Sequence, residues 1–201
     1  MPASPDAQAV LRFWFGEADD DAEVARSRND LWWNATPEAD HTVAERFGAL
    51  HRDAAAGTLD PWAATPRGRL ALIVVLDQFS RHLFRDRPQA FAHDPAARRL
   101  CLDGLAGGAD QALRAIERVF FYMPLMHSEA IADQARSVQL NEALIESAPD
   151  SCRPILRSYA AYARGHRDLV ERFGRFPHRN AILGRPATDE EAAYLAGEGA
   201  L

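Results

Sequence analysis

Helix start and stop signals recur along this chain and constrain its fold more than any other feature. Thr36-Pro37, Thr65-Pro66 and Asp94-Pro95 each place a capping residue before a proline, which is typical of the first turn of a helix. Apolar residues then recur three or four positions apart, and glycines such as Gly57 and Gly174 follow the last of them. The pattern predicts helices over about 5–16, 23–33, 37–57, 66–83, 94–107, 124–147 and 151–173, one or two turns near 112–122, and a short last helix capped by Thr188 and Glu191.

Strands are not expected, because no segment alternates polar and apolar residues between turn dipeptides. Helices joined by short loops pack as antiparallel pairs, so we predict an all-α chain, either a helical bundle or a solenoid of helical hairpins. No sequence repeat of about 34 residues is evident, so repeats in the sequence do not distinguish a bundle from a solenoid. No linker divides the chain, and we predict a single helical domain over residues 1–201.

Composition and charge narrow the classes of partner. The net charge is −6 at pH 7, and all 23 basic residues are arginine. Nucleic-acid binding depends on basic side chains that neutralise phosphate groups. Because this chain is acidic overall, we expect no nucleic-acid partner. The longest apolar run, residues 70–76, is far shorter than the roughly 20 residues of a membrane span, so no membrane partner is expected either. With no signal peptide in evidence and two cysteines far apart, the predicted location is the cytoplasm.

The first polar group that needs an explanation follows this apolar run. Asp77, Gln78 and Arg81 lie on one side of the predicted helix 66–83, because residues three or four apart are neighbours on a helix. A carboxylate beside core residues is costly unless it is paired, and Arg81 is the obvious partner. Two interpretations stay open, a structural ion pair and a polar cluster that faces a ligand.

A second polar group lies around Pro124. If Pro124 begins a helix, His127 and Glu129 lie in its first turns, where free backbone N–H groups favour anions. A histidine paired with a carboxylate can act as a general base. The alternative is a hydrogen-bonded core histidine and a glutamate that complements the helix dipole. His166, on the apolar stripe of helix 151–173, is likewise interpreted as a hydrogen-bonded core residue.

A third polar group lies in the loop after helix 151–173, where glycine and proline shape the backbone. Its polar residues are Arg175, His178, Arg179 and Asn180. Loops concentrate binding residues, and arginine is the preferred side chain for planar anions such as carboxylate or phosphate. Equally open is a loop that arginine–carboxylate pairs hold to the body of the protein, through Asp77 or Glu129.

The sequence lacks the motifs of several common catalytic and binding sites. Without lysine, no phosphate-binding Gly-x-x-x-x-Gly-Lys loop is possible, and no Gly-x-Ser-x-Gly elbow is present. No two histidines lie three or four apart on a predicted helix, so a zinc site has no support, although folding could still assemble one. We therefore predict no metal and no cofactor.

The three polar groups carry a family resemblance. The stretches Leu76-Asp77-Gln78-Phe79-Ser80-Arg81, Phe120-Phe121-Tyr122-Met123-Pro124-Leu125-Met126-His127-Ser128-Glu129 and residues 172–185, which include Arg175-Phe176-Pro177-His178-Arg179-Asn180, resemble a bacterial family called domain of unknown function 924. The resemblance covers nearly the whole chain. It implies an all-α fold of antiparallel helical hairpins in a tetratricopeptide-like superhelix, and it implies no established activity. The polar residues that fit the family pattern are Asp77, Gln78, Arg81, His127, Glu129, Arg175, His178, Arg179 and Asn180.

Three functional hypotheses follow from these residues. The first is a cleft that binds a small polar or anionic ligand through Arg81, Arg175, Arg179, His127 and His178, with Asp77 and Glu129 orienting them. The second is a hydrolytic or acid–base enzyme with His127 as the base and Glu129 or Asp77 as its orienting group. The third is a tetratricopeptide-like scaffold that binds a protein partner in a peptide groove, which rests on fold analogy alone. The remaining alternative is a buried structural network.

Overall fold

The structure is a computed structural model that describes residues 6–34 and 36–197, and within these ranges it contains helices and no strand. The all-α prediction is therefore confirmed, whereas the tetratricopeptide-like superhelix stays a prediction. Contacts between residues divide the chain into two compact units. The first unit comprises the described residues of 1–85 and 89–124, and the second those of 86–88 and 125–197. The single domain expected over 1–201 also stays a prediction.

The first unit holds most of the helices. Its α-helices are α1 (Ala7–Phe15), α2 (Asp21–Trp33), α3 (Pro37–Ala55), α4 (Pro66–Ile73), α5 (Ser80–Leu83), α6 (Asp94–Ala106) and α7 (Ala115–Met126), whose last two residues belong to the second unit. A π-helical segment, Val74–Phe79, joins α4 to α5 where one uninterrupted α-helix was predicted. Short 3-10 helices cover Asp60–Ala64, Ala109–Ala112 and Pro88–Phe91, the last of which begins with one residue of the second unit. Within the described ranges, no helix combines the length and apolar character needed to cross a membrane.

Side-chain caps form two of the three predicted Thr-Pro and Asp-Pro helix starts; at the third, α6 begins at Asp94 itself, after His93, without a side-chain cap. The hydroxyl of Thr36 accepts a hydrogen bond from the amide of Ala39 at 3.2 Å, and Thr65 does the same for Gly68 at 3.1 Å. Each cap precedes a proline whose missing N–H would have no partner at that position anyway. The predicted start of the first helix lies outside the described residues, and Asp6 caps α1 by accepting from Ala9 at 2.7 Å.

An aromatic core lies inside the first unit. Trp14, Phe47, Phe79 and Phe120 have no exposed surface. The distance between ring centroids is 4.9 Å for Phe47 and Phe79, 5.7 Å for Trp14 and Phe79, and 5.5 Å for Trp14 and Phe120. The apolar run 70–76 is at most 4% exposed, as a helix that is apolar on every side requires. Full burial of each large apolar side chain stabilises the fold by roughly 1.5–3 kcal/mol.

The second unit is built around a helical hairpin. Its helices are α8 (Ile131–Ser147), α9 (Arg153–Phe173), the 3-10 helix Pro177–Arg179 and α10 (Asp189–Gly197). The short connection between α8 and α9 makes them antiparallel neighbours. Gly174 ends α9 with φ +71°, as predicted. The predicted capping box of α10 is confirmed, because the amide of Thr188 donates to Glu191 at 2.7 Å and the amide of Glu191 donates to Thr188 at 3.2 Å.

The predicted helix 124–147 is wrong at its start. Pro124 lies inside α7, which ends at Met126, and α8 begins at Ile131. Proline favours the first turn of a helix, but the buried run 120–123 keeps α7 helical by packing, and the helix ends within one turn of the proline. His127 and Glu129 therefore lie in the turn between two helices and not in the first turns of one.

Candidate ligand-binding site

The first motif forms an ion-pair network within the first unit. The Asp77 side chain has no exposed surface, and Arg81 lies 3.1 Å from one of its carboxylate oxygens. Arg81 also donates to the main-chain oxygen of Asp77 at 2.7 Å and to both oxygens of Asp94 at 3.0 and 3.1 Å. Gln78 donates to the second carboxylate oxygen of Asp77. These bonds support the structural interpretation, because each charge meets an opposite charge.

Electrostatics in this network favours the charged form of Arg81. Burial by itself lowers the pKa of Arg81, but Asp77 and Asp94 raise it above its ordinary value. The adjacent His82 lies with its Nδ1 2.8 Å from Asp40, yet burial holds the pKa of this ring below its ordinary value. Three of the nine candidates, Asp77, Gln78 and Arg81, thus belong to the first unit, and the other six belong to the second.

The second motif is a turn that α8 holds in place. Gln134 has no exposed surface, and its Nε2 donates to the main-chain oxygens of Met126 and Ser128 at 2.7 and 2.6 Å. These two residues flank His127, so the bonds fix the backbone that carries the histidine. A carbonyl oxygen only accepts, so the amide nitrogen must face both of them. Gln134 Oε1 is buried and has no hydrogen-bond partner among the described residues.

Glu129 ties the same turn to the loop after α9. Arg185 donates to both of its carboxylate oxygens at 2.7 and 3.0 Å, and the amide of Phe176 donates at 2.8 Å. Arg185 also donates to Asn180 Oδ1 at 2.9 Å. Burial raises the pKa of Glu129, but the bonds from Arg185 and Phe176 bring it below its ordinary value of 4.5. Glu129 is therefore an ionised anchor for the loop.

Arg175 anchors the loop farther along the chain. It donates to the two oxygens of Glu191 at 2.6 and 2.8 Å and to the main-chain oxygen of Pro186 at 2.9 Å. The Arg175 bond lowers the pKa of Glu191 to about 2, against the effect of burial. Arg175 and Asn180 thus support the interpretation of a loop held by arginine and carboxylate.

Two histidines of the second unit, His166 and His178, contact one buried phenylalanine, and a third, His127, contacts His166. The ring of His166 lies 6.4 Å from that of His127 and 5.4 Å from that of Phe176, between centroids. The ring of His178 lies 5.5 Å from Phe176, and the guanidinium carbon of Arg179 lies 4.5 Å from the centroid of the same ring. Phe176 has no exposed surface. We call these five residues the histidine cluster.

His166 is a neutral ring with a defined tautomer. Its Nδ1 lies 2.9 Å from the main-chain oxygen of Tyr162, and because that oxygen only accepts, Nδ1 carries the proton. Burial lowers the pKa of His166 to about 4; the Tyr162 bond opposes this effect, and the charges of His127, His178 and Arg179 add to it. Nε2 of His166 therefore presents a lone pair at neutral pH.

His178 has a buried nitrogen without a partner. Its Nδ1 makes no hydrogen bond within the described part of the chain. Burial, followed by Arg179, lowers the pKa of the ring to about 4; His127 and Arg185 add to the effect and Glu129 opposes it. A buried polar atom without a partner is unfavourable, and proteins usually satisfy such atoms with ordered water or a ligand. His178 is thus the clearest polar contact that the cluster offers to a bound molecule.

Two residues of this site were not among the sequence candidates. His166 was predicted to be a hydrogen-bonded core residue; the hydrogen bond is present, but the ring is only half-buried and belongs to the cluster. Arg185 forms the ion pair with Glu129, and its only sequence signal was its place at the end of the third motif. The two partners are 56 positions apart, so spacing could not identify them.

The second unit offers cationic and neutral nitrogen donors. Among residues 6–34 and 36–197, no three or more His, Cys, Asp or Glu side chains are placed to hold a metal ion. The polar groups of the histidine cluster are imidazoles and one guanidinium. Such groups bind oxyanions through charge and hydrogen bonds together.

The chain is similar to known proteins over nearly its whole length. The model of a family described as bacterial protein of unknown function, DUF924, matches residues 10–199. The solved structure of a protein of unknown function, ATU0120 from Agrobacterium tumefaciens, shares 38% sequence identity and a TM-score of 0.81, over 96% of this chain and 97% of that chain. No curated protein matches. The chain therefore belongs to the bacterial family domain of unknown function 924, as its three polar motifs indicate.

Proposed function

We propose that the protein binds a small anion at the histidine cluster of its second unit. The observation that carries this proposal is the buried Nδ1 of His178, which has no hydrogen-bond partner among the described residues and whose ring feels the charge of Arg179. An oxyanion could accept a hydrogen bond from a protonated Nδ1 while its charge meets the guanidinium. Charge-assisted bonds of this kind are roughly twice as strong as neutral ones.

The surrounding charges support a negative ligand over a positive one. Glu129, the carboxylate that acts on His178, accepts paired hydrogen bonds from Arg185. Burial is the main cause that lowers the pKa of His166 and His178, and the charge of Arg179 adds to it. The electrostatic potential from Arg179 therefore disfavours a further positive charge at these rings. The same potential attracts an anion.

This proposal is narrower than the one from sequence. Asp77, Gln78 and Arg81 lie in the first unit and bond with one another, which supports a structural role for them. Arg175 and Asn180 hold the loop, and we assign them a positioning role. The ligand-binding candidates that remain are His127, His166, His178 and Arg179.

Titration calorimetry with inorganic phosphate tests the proposal on the full chain. We expect Arg179→Gln and His178→Ala each to weaken phosphate binding roughly tenfold or more, because a hydrogen bond to a charged group contributes about 1.5–3 kcal/mol. Arg164→Gln is the matched control. It changes a partly exposed arginine of the same unit that pairs with Glu142 at 2.9 Å.

The contrary outcomes are distinct. A folded chain that binds neither phosphate nor sulfate at millimolar concentration would show that the cluster is not an anion site. Equal binding by the wild type, Arg179→Gln and His178→Ala would place the anion elsewhere on the molecule. Thermal unfolding of each variant separates a lost contact from a lost fold.

The enzyme hypothesis has less support. It requires Glu129 or Asp77 to orient His127, but Glu129 accepts from Arg185 and Phe176, and Asp77 is paired with Arg81 in the first unit. The peptide-scaffold hypothesis still rests on fold analogy. Anion binding is accordingly the function that the site supports best.

A further inference from the structure

We infer that the first unit carries a second binding site, which takes a small molecule with an aromatic ring and a carboxylate group. The site is a cavity of about 490 Å³ between α1, the 3-10 helix Asp60–Ala64 and the first turn of α4. Small-molecule pockets have volumes of about 300–1,000 Å³. The inference is independent of the proposed anion site, because every described residue that lines the cavity belongs to the first unit.

Trp62 forms an aromatic wall of this cavity. The other three tryptophans of the chain pack against aromatic rings, whereas the half-buried Trp62 contacts no aromatic ring within the described ranges. Leu11 and Pro61 line the cavity beside it. An aromatic ring of a ligand can therefore pack against Trp62 and remove apolar surface of both partners from water.

Backbone packing holds Trp62 in place before any ligand binds. The amide of Thr65 donates to the main-chain oxygen of Trp62 at 3.2 Å. The same oxygen approaches Gly68 so closely that a Cβ there would collide with it. The 3-10 helix is thus held against α4, and the cavity is formed in advance, as small-molecule pockets usually are.

Arg67 supplies the group that recognises a carboxylate. Its Nη1 donates to Glu117 at 2.7 Å, and this is the one guanidinium nitrogen of Arg67 with a hydrogen bond in the described part of the chain. The Arg67 side chain is 57% exposed, whereas that of Glu117 is 3% exposed. The other donors of Arg67 are therefore accessible to a ligand, and their planar arrangement matches the two oxygens of a carboxylate.

The ion pair with Glu117 does not prevent Arg67 from binding a second carboxylate. Arg81, in the same unit, donates to both oxygens of Asp94 while its Nη1 lies 3.1 Å from Asp77. One guanidinium of this chain thus serves two carboxylates. A ligand carboxylate beside Arg67 and Glu117 would form the same arrangement.

The remaining charges near the cavity do not oppose a negative group. Asp6 precedes α1 and accepts from the amide of Ala9 at 2.7 Å. A carboxylate oxygen of Asp60 lies 3.4 Å from the position of a Cβ on Gly57. Neither aspartate lines the cavity, and among the described residues that do, Arg67 has the one charged side chain. Charge complementarity therefore favours a carboxylate over an ammonium group.

Nuclear magnetic resonance of the tryptophan indoles tests this site on the full chain. The indole N–H signal of Trp62, assigned with Trp62→Phe, should move as 3-phenylpropanoate is added, while the other three indole signals stay in place. The uncharged analogue 3-phenylpropanamide should bind roughly tenfold more weakly, because its hydrogen bond to the guanidinium lacks the charge of the carboxylate. Acetate, which has no ring, should leave the Trp62 signal unchanged.

Gln8 offers two variants that test charge recognition without disturbing the Arg67–Glu117 pair. Gln8 is exposed and lines the cavity. Gln8→Glu should weaken the binding of 3-phenylpropanoate roughly two- to fivefold at low ionic strength, and Gln8→Lys should strengthen it by a similar factor. Neither variant should change the binding of the uncharged amide. Gln89→Glu, the same change at an exposed glutamine that does not line the cavity, is the matched control.

The contrary results separate the parts of the inference. A Trp62 signal that does not move with millimolar 3-phenylpropanoate would show that the cavity is not a site for this class of ligand. Equal affinities for the acid and the amide, or equal effects of Gln8→Glu and Gln8→Lys, would overturn carboxylate recognition. The melting temperature of each variant shows whether the fold is retained. Phosphate binding at the histidine cluster is a separate measurement, so either site can fail without the other.

Discussion

Asp77 shows what a fully buried carboxylate requires from its neighbours. Removing an ion from water costs several kcal/mol, and only an opposite charge together with hydrogen bonds offsets this cost. Arg81 supplies the charge, Gln78 bonds to the second oxygen, and Asp94 shares the guanidinium. His178 differs, because its buried Nδ1 has no hydrogen-bond partner among the described residues. That contrast between single residues separates the structural network from the candidate site.

Substitution of the two aspartates tests this interpretation of the network. Asp77→Asn should lower the free energy of unfolding by about 3 kcal/mol or more, because it removes the charge from a buried pair. Asp94→Asn should cost less, because the Asp94 side chain is 17% exposed and water can replace part of its interaction with Arg81. Urea unfolding at neutral pH measures both values. If both substitutions lowered the free energy of unfolding by the same amount, the burial of the aspartate would not determine how much its ion pair contributes.

At the scale of the element, local rules determine most helix ends, and packing overrides them at Pro124. Thr65 and Gly174 begin and end helices as their chemistry predicts. Pro124 does not begin a helix, because the apolar residues before it are buried as part of α7. Gln134 of α8 then bonds to the main-chain oxygens that follow. Gln134, from the neighbouring helix α8, therefore stabilises the end of α7.

The same substitution at two helical glycines should have opposite effects. A Cβ on Gly68 would collide with the main-chain oxygen of Trp62, because the 3-10 helix Asp60–Ala64 approaches α4 closely. Gly68→Ala should therefore lower the free energy of unfolding by about 1–3 kcal/mol. A Cβ on Gly48 in α3 would meet nothing within 4 Å, and Gly48→Ala should raise that free energy by about 0.5–1 kcal/mol. Thermal unfolding measures both effects. An unchanged melting temperature in Gly68→Ala would contradict the close approach of the Trp62 main-chain oxygen to Gly68.

At the scale of the whole molecule, buried histidines link stability to pH. His51, His166 and His178 each have a pKa lowered to about 4, chiefly by burial. His51, for example, is buried with its Nε2 2.8 Å from the hydroxyl of Ser80. In the unfolded chain the same rings titrate near 6.5. Between these values the unfolded chain binds more protons than the folded one, so stability is complete above about pH 6.5 and is lost as pH falls toward 4.

Urea unfolding across this window provides the measurement. Between about pH 6.5 and 5, unfolding should take up two to three protons, which corresponds to a loss of roughly 3–4 kcal/mol per pH unit. His51→Gln should reduce the uptake by about one proton. His41→Gln, which changes a largely exposed ring, is the matched control. If the free energy of unfolding did not change between these pH values, each of the three histidines would have the same pKa in the folded and in the unfolded chain.

The sequence by itself determined what depends on interactions between residues close together in the chain. A cap such as Thr65 bonds three positions away, and the capping box of Thr188 and Glu191 has the same span. The unbroken apolar run 70–76 predicted a buried segment, and apolar spacing of three or four residues predicted the extent of α9. Helix content and most helix boundaries were therefore predictable, and so was the pairing of Asp77 with Arg81, which lie four positions apart.

Only the tertiary structure decided which distant side chains meet. Glu129, one of the two carboxylates that the sequence had named as partners for the loop, pairs with Arg185. Arg175 pairs with Glu191, which the sequence had not named. His166 joined the candidate site from the apolar stripe of α9. The physical reason is that 23 arginines compete for the carboxylates of this chain, and all offer the same charge and the same donors. The packing of helices selects among them, because it alone brings a particular guanidinium within hydrogen-bond distance.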